Sequence, residues 1–215
     1  MTETGLITKM KSPLEDTIWG AAYGSVTVVQ AAFDRFGPEY HQAILASGAP
    51  ADAARALMPH LHPDAQGIDF GCGSGVLGIG LRDAGLRQPL DGIDLSPVML
   101  DLARETGCYR HLQRANLLVP EECPALAKPY DFVITMGLMG DYVPYYVALP
   151  HIVSCLRPGA CLGYAVERRS TPSHALEKLA LDLGLAPLSE TILPVPAGKL
   201  ESQVYHFFVA RLGFA

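Results

Sequence analysis

The chain has 215 residues, a formal net charge of −6, 49% hydrophobic residues and 18% charged ones. That length fits one α/β domain with an extension and a large core. The acidic balance argues against a bulk electrostatic grip on nucleic acid or an anionic membrane, and no run of roughly 18 apolar residues predicts a membrane-spanning helix. The opening MTETGLITKMKSPLED has no apolar core of the signal-peptide kind. Five cysteines (Cys72, Cys108, Cys123, Cys155, Cys161) make an odd number with no CxxC pair. They are expected to be reduced thiols in a cytoplasmic protein.

From Pro13 to His60 the apolar spacing is helical, interrupted at Gly24-Ser25, Gly37-Pro38 and Gly48-Ala49-Pro50. Three or four short helices are expected, the last near Ala51–Met58. The pattern then alternates. Gly67–Phe70 reads as a strand and Gly75–Ala84 as a helix stopped by Gly85. Leu90–Asp94 reads as a second strand. Ser96-Pro97 caps and opens a helix that runs to about Glu105. Residues 111–115 predict a third strand, Asp131–Met136 a fourth, Tyr145–Leu156 a helix and Cys161–Val166 a fifth strand. Ser173–Leu183 predicts a helix ended by Gly184. Leu188–Leu193 and Gln203–Arg211 follow without a helix between them. The expected fold is therefore α/β: a Rossmann-like, mostly parallel seven-stranded sheet with an antiparallel last strand. Residues 1–60 are expected to form a helical lid and 61–215 the ligand-binding domain.

The chemistry concentrates at two strand ends. Gly67-Ile-Asp69 runs into a glycine-rich turn, Gly71-Cys-Gly73-Ser-Gly75, and Asp94 ends the next strand twenty-five residues after Asp69. Glycines let the main chain turn sharply and approach a ligand closely. The following helix points its N–H groups at the ligand, and a second-strand carboxylate can accept both hydroxyls of a ribose. The pattern points to a cofactor containing adenosine. Gly73–Gly78 fits the GxGxxG of nicotinamide-dependent folds. The earlier start of the glycines at Gly71, a carboxylate at Asp69 that would repel a pyrophosphate but could hold a cationic amine, and the antiparallel ending pull away from a nicotinamide cofactor.

Ile68–Gly78 resembles motif I of class I S-adenosylmethionine-dependent methyltransferases, and Asp91–Leu100 resembles their second motif. Leu156-Arg-Pro-Gly-Ala160 is similar to their turn before strand 5, and Val204–Arg211 to their last strand. Thr106–Leu117 and Phe33–Tyr40 resemble the Williams–Beuren-type methyltransferase-like group, the latter in its YDxxAxxYD box. The resemblance implies S-adenosylmethionine as cofactor. It implies Asp69 at the methionine amine, and Gly71, Gly73 and Gly75 around the methionine and ribose. Asp94 would take the ribose hydroxyls. Leu95 and Met99 would lie beside the adenine, and Asn116, with Leu117 after it, would meet the adenine amino group. Met136 and Gly137 would lie against the sulfonium, and Tyr40 would keep the second aromatic of the box. Phe33 and His41 depart from the box, and Asn116 replaces the group's usual Asp.

The acceptor is expected beyond the carboxyl ends of the strands. Asp141, Tyr142, Tyr145 and Tyr146 after strand 4 are candidates to line its pocket. Asp141 and Tyr142, with His174 after strand 5, are the candidate catalytic groups. Asp141 serves equally as the cap of the next helix, and His174 as a solvated helix start. His41 is a candidate to reach the site from the lid. Thr135-Met136-Gly137-Leu138 stands where amine methylases of nucleic acid and protein carry (Asn/Asp)-Pro-Pro-Tyr. The expected function is methyl transfer to oxygen or nitrogen of a small-molecule acceptor. A protein of this fold that binds S-adenosylmethionine for another reaction or for regulation is the alternative. No nucleic-acid or membrane partner and no metal are expected, and a homodimer is left open.

Overall fold

The computed structural model describes residues 25–119, 123, 129–139, 142–167, 173–193 and 205–213. Seven strands form one sheet in the order β3-β2-β1-β4-β5-β7-β6. They are β1 (Gly67–Phe70), β2 (Leu90–Asp94), β3 (Tyr109–Arg114), β4 (Tyr130–Thr135), β5 (Leu156–Glu167), β6 (Leu185–Leu193) and β7 (Tyr205–Leu212). β1 pairs parallel with β2 and with β4, β2 with β3, and β4 with β5. β7 runs antiparallel to both β5 and β6, so it alone opposes the sheet. This is the mostly parallel sheet with an antiparallel last strand that the strand–helix alternation predicts.

The period-2 alternation of each strand divides the core in two. On one face Ile68, Phe70, Ile93, Val133 and Leu162 pack with Leu149 and Ile152 of α5 (Tyr145–Ser154) and Leu176 of α6 (Ser173–Asp182). On the other, Phe132, Ile134, Phe207 and Val209 pack with Ala53, Ala54 and Leu57 of α2 (Ala49–Leu57) and with Leu77 and Leu81 of α3 (Val76–Asp83). At about 25 cal/mol per Å² of apolar surface, these two layers are the main favourable term for the fold. Gly67 belongs to this packing: a Cβ there would lie 2.1 Å from the Phe132 ring.

Boundaries differ from the sequence reading in three instructive places. The Gly37-Pro38 break does not end a helix. α1 runs Val26–Ser47 with Pro38 inside it and a kink at Phe36 (φ −116°, ψ 15°). Proline removes the N–H that would bond the carbonyl four residues earlier, which bends a helix without ending it when packing holds both halves. The packing is visible at Gly37, where a Cβ would stand 3.2 Å from Val98 and 3.3 Å from Leu102 of α4 (Pro97–Glu105).

β3 begins at Tyr109 rather than 111 because the register shifts between Leu90 and Asp91, pairing them with Tyr109 and His111. Arg110 is the extra residue. β5 starts at Leu156, five residues early. Its pairing with β4 jumps from Tyr130↔Leu156 to Phe132↔Cys161. The expected turn at Leu156–Ala160 survives as an irregularity inside the strand, with Gly159 at φ 81°.

The buried residues of α2 belong to the sheet's core, whereas α1 lies above the strand ends. Among the described residues, no helix is long and apolar enough to cross a membrane. All five cysteines are buried thiols.

Candidate active site

A cleft of about 810 Å³, counting space open to solvent, lies beyond the carboxyl ends of β1, β2, β3 and β4 under the first half of α1. The β1 end supplies Gly71 and Gly73, and the β2 end supplies Asp94, Leu95, Ser96 and Met99. Ala115, Asn116, Leu117 and Leu118 follow β3, and Met136, Gly137, Leu138, Tyr142 and Val143 follow β4. α1 contributes Val26, Val29, Gln30, Phe33 and Tyr40.

The turn after β1 folds as it does because its glycines take backbone angles that other residues resist. Gly71 and Gly73 have φ of 69° and 51°. The N–H groups of Gly71 and Cys72 both bond the carbonyl of Ile93 at 2.8 and 2.9 Å. This ties the turn to the end of β2, where Asp94 sits. The Asp94 carboxylate accepts the Gly73 N–H at 2.8 Å through Oδ2 and the Ser96 N–H at 2.9 Å through Oδ1. Each oxygen keeps a further lone pair. Burial raises the pKa of Asp94 above the ordinary carboxylate value, against the lowering effect of the N–H groups of Ser96, Gly73 and Leu95.

Asp69 lies outside the cleft. It is 1% exposed, and Tyr109 Oη donates to its Oδ2 at 2.8 Å. Burial, together with the nearby Asp94 charge, lifts Asp69 to about 7 despite that bond. The Tyr109 ring reaches it through space that three glycines leave open. A Cβ at Gly75, Gly78 or Gly92 would lie 2.8 or 2.9 Å from this ring. Gly75, expected at the cofactor, therefore makes room for Tyr109 and does not line the cleft.

The remaining sequence-predicted residues separate cleanly. Gly71, Gly73, Asp94, Leu95, Met99, Asn116, Leu117, Met136, Gly137, Tyr40 and Tyr142 all line the cleft. Asn116 Oδ1 accepts the Leu118 N–H at 3.0 Å, so its amide is oriented by the turn after β3. His174 is exposed at the start of α6 and away from the cleft. His41 faces a different depression with Pro38, Gln42, Ile79, Leu102, Glu105 and Thr106. Tyr145 and Tyr146 pack on each other edge to face at 5.6 Å, outside the cleft, and Tyr146 is 64% exposed. Asp141 falls outside the described residues.

Several lining residues escaped the sequence reading. Val26, Val29 and Gln30 were available to it through their spacing of three and four along the helical face that also carries Phe33. Ser96 was read only as a cap, which it is: its hydroxyl accepts the Met99 N–H at 3.1 Å.

Phe33 closes one wall of the cleft. Its ring meets Tyr40 edge-on at 5.3 Å and Tyr142 at 5.4 Å, joining α1 to the turn after β4. Edge-to-face aromatic pairs of this geometry contribute about 0.5–1.5 kcal/mol beyond the area they bury.

This sheet order, with a glycine turn after β1 and a carboxylate ending β2 over a cleft of these dimensions, defines a class I nucleoside-binding methyltransferase fold. The chain belongs to the methyltransferase domain family, which it matches over residues 41–210; the cofactor of such proteins is S-adenosylmethionine. It is 30% identical over 163 residues to human methyltransferase-like protein 27, a match covering 74% of this chain and 64% of that protein. It thus spans less than two thirds of that relative, and about a third of a bacterial ribosomal protein L11 methyltransferase that it also matches.

Solved structures share the fold, two of them as follows. One is the methyltransferase in complex with the Trm112 methyltransferase activator of Haloferax volcanii, with TM-score 0.69, 20% identity, and 87% and 98% of the two chains covered. The other is the 1,6-didemethyltoxoflavin-N1-methyltransferase of Burkholderia thailandensis, with TM-score 0.63, 19% identity and 89% of each chain covered.

The cleft residues fit S-adenosylmethionine. Asp94 retains accepting capacity for two ribose hydroxyls, Gly73 has open space where a side chain would stand, and Leu95, Met99, Ala115 and Leu117 offer apolar surface for a base.

Proposed function

We propose that the protein transfers a methyl group from S-adenosylmethionine to an oxygen or nitrogen of a small-molecule acceptor. When bound, that cofactor supplies a methyl on a positively charged sulfur whose charge disappears as the methyl moves. The task left to the chain is to hold, align and dehydrate. Asp94 takes the ribose hydroxyls, and Gly71 and Gly73 let the main chain approach the nucleoside. Asn116, with its oxygen turned to Leu118, offers its amide to the base edge. Met136 and Gly137 lie beside the sulfur.

Phe33, Tyr40 and Tyr142 form the wall against which a flat acceptor aligns, and alignment of the reacting atoms with exclusion of water is the contribution such a wall makes. An acceptor already present as a phenolate or free amine needs no base. The Tyr142 hydroxyl, and Asp141 beside it in sequence, are the candidates to orient one that does. His174 is not carried forward, because its side chain is exposed away from the cleft.

The observation that carries the reading is the continuity of the cleft from Asp94 and the glycine turn to the aromatic wall. Charge agrees with it: an overall −6 does not attract nucleic acid, and Thr135-Met136-Gly137-Leu138 replaces the tetrapeptide of amine methylases of macromolecules.

The test is methyl-labelled cofactor incubated with the protein and a panel of phenols, carboxylic acids and amines, with release of S-adenosylhomocysteine measured. Label in a small molecule, dependent on acceptor, is expected. Label confined to added protein or RNA would replace the acceptor class. Tight cofactor binding without release across the panel and in cell extract would favour a binding protein over a transferase.

A further inference from the structure

The first half of α1 is fastened to the cofactor end of β2 by a chain of side-chain hydrogen bonds that no role assigned above uses. Asp34 lies at its centre. Its Oδ1 accepts the Ser96 hydroxyl at 2.6 Å, sixty-two residues away, and its Oδ2 accepts the Gln30 amide at 3.1 Å. The Gln30 oxygen in turn accepts from the Arg114 guanidinium at 3.0 Å, and Arg114 Nε donates to the Leu95 carbonyl at 3.1 Å. Both ends of this chain close on the segment 94–96.

Ser96 is 1% exposed, and its groups are fully committed. The hydroxyl donates to Asp34 while accepting the Met99 N–H at 3.1 Å, and its own N–H donates to Asp94 Oδ1 at 2.9 Å. A hydroxyl has one proton. The Asp34 carboxylate therefore fixes the rotor of Ser96, and with it the orientation in which the cap receives Met99. A charged acceptor makes this the strongest class of protein hydrogen bond.

We propose that Asp34 is a positioning residue of the site: by holding the Ser96 hydroxyl it clamps α1 over the cleft and fixes the turn that aims Asp94 at its ligand. The proposal rests on the reading of the cleft as the S-adenosylmethionine site. It explains why Gln30, a polar side chain on an otherwise apolar face of Val26, Val29 and Phe33, turns to Asp34 and Arg114. It also locates the fastener two residues before the kink at Phe36, in the half of α1 that carries four of that helix's five cleft-lining residues, Tyr40 being the fifth. The half after the kink is held separately, by Gly37 against Val98 and Leu102 and by the buried Ile44.

The test is calorimetric binding of S-adenosylhomocysteine to the full chain and to four variants, with amide hydrogen exchange followed on the free proteins. Asp34→Ala is expected to weaken binding about tenfold or more, the range of losing a hydrogen bond to a charged partner. Amides of residues 26–35 should exchange faster while those of β1 and β4 keep their protection. Asp34→Asn keeps an accepting oxygen for Ser96 and is expected to recover most of the affinity.

Ser96→Gly removes the hydroxyl at a cap position that tolerates glycine. It should reproduce Asp34→Ala, and the double variant should lose no more than either alone. If Asp34→Ala binds within twofold of the wild type, or the two single losses add in full, the clamp is wrong. If the wild-type chain itself fails to bind, the reading of the cleft falls first and the clamp with it.

Discussion

The phenol of Tyr109 in β3 donates to the carboxyl of Asp69 in β1 at 2.8 Å, passing over the intervening strand β2. The ring crosses where Gly75, Gly78 and Gly92 carry no side chain. A motif read from its spacing as a ligand cradle is therefore partly a seat for an aromatic ring that props the cradle from beneath. This relation sets two expectations.

Gly78→Ala should destabilise the protein by about 1–3 kcal/mol, as overpacked cores do, because its Cβ would lie 2.8 Å from Tyr109 and 2.9 Å from Cys108. Thermal or urea unfolding of the single variants and of Gly78→Ala/Tyr109→Leu checks this. The second change should relieve part of the first, giving a coupling energy of about 0.5 kcal/mol or more. Full additivity would refute the seat.

Asp69 should make stability fall as pH rises through its titration. In the unfolded chain it ionises near the ordinary 3.8, while burial holds it to about 7 in the folded state. The folded state then binds more protons between about pH 4 and 7, so its stability decreases across that window. Asp69→Asn, which still accepts from Tyr109, removes the dependence. The variant's melting temperature should gain on the wild type from pH 4 to 7 and level off above. A constant difference over that range would contradict the shift.

Asp94→Ala should weaken S-adenosylmethionine by about 1.5–3 kcal/mol, the scale of lost charge-assisted bonds, with little change in melting temperature of the free protein beyond the loss of its two N–H partners. Burial raises the Asp94 pKa, so wild-type affinity should fade on the acid side sooner than an ordinary surface carboxylate would cause. Calorimetry as a function of pH reads both. Unchanged affinity of the variant would remove Asp94 from the site.

Tyr130→Phe should cost about 1.5–3 kcal/mol. Tyr130 Oη donates to Asp91 Oδ2 at 2.8 Å, and Asp91 also meets Arg110 at 2.8 Å and His111 at 2.9 Å. Burial would raise the Asp91 pKa, but these three partners outweigh it and bring it down to about 2. The stability it contributes is thus complete above about pH 4 and is lost as pH falls toward 2. Urea titrations at pH 7 and pH 2.5 should show the penalty of Tyr130→Phe shrinking at the lower pH. An equal penalty at both would mean that the phenol acts through packing alone.

The strands were legible because apolar runs ending in Asp69 and Asp94 are bounded by glycine and proline signals, and β1 and β2 fall where those signals put them. The cleft wall formed by Leu95, Met99, Asn116, Leu117 and Met136 was legible because it follows strand ends directly. What escaped needed partners distant in sequence. Nothing local says that Asp69 faces a tyrosine forty residues on. Nor does strict alternation let Arg110 and His111 both turn to Asp91; the extra residue at the β2–β3 register shift allows it. The Gly37-Pro38 pair looks like a helix end until Val98 and Leu102 are seen against it.

One five-residue strand bears both acidic groups that matter most. Asp91 near its beginning is locked among cationic and phenolic neighbours, whereas Asp94 at its tip is left with bonding capacity to offer. Architecture and chemistry are thereby insulated from each other by a span of three residues. Redesign of what the protein accepts can begin at the rim without touching the keel.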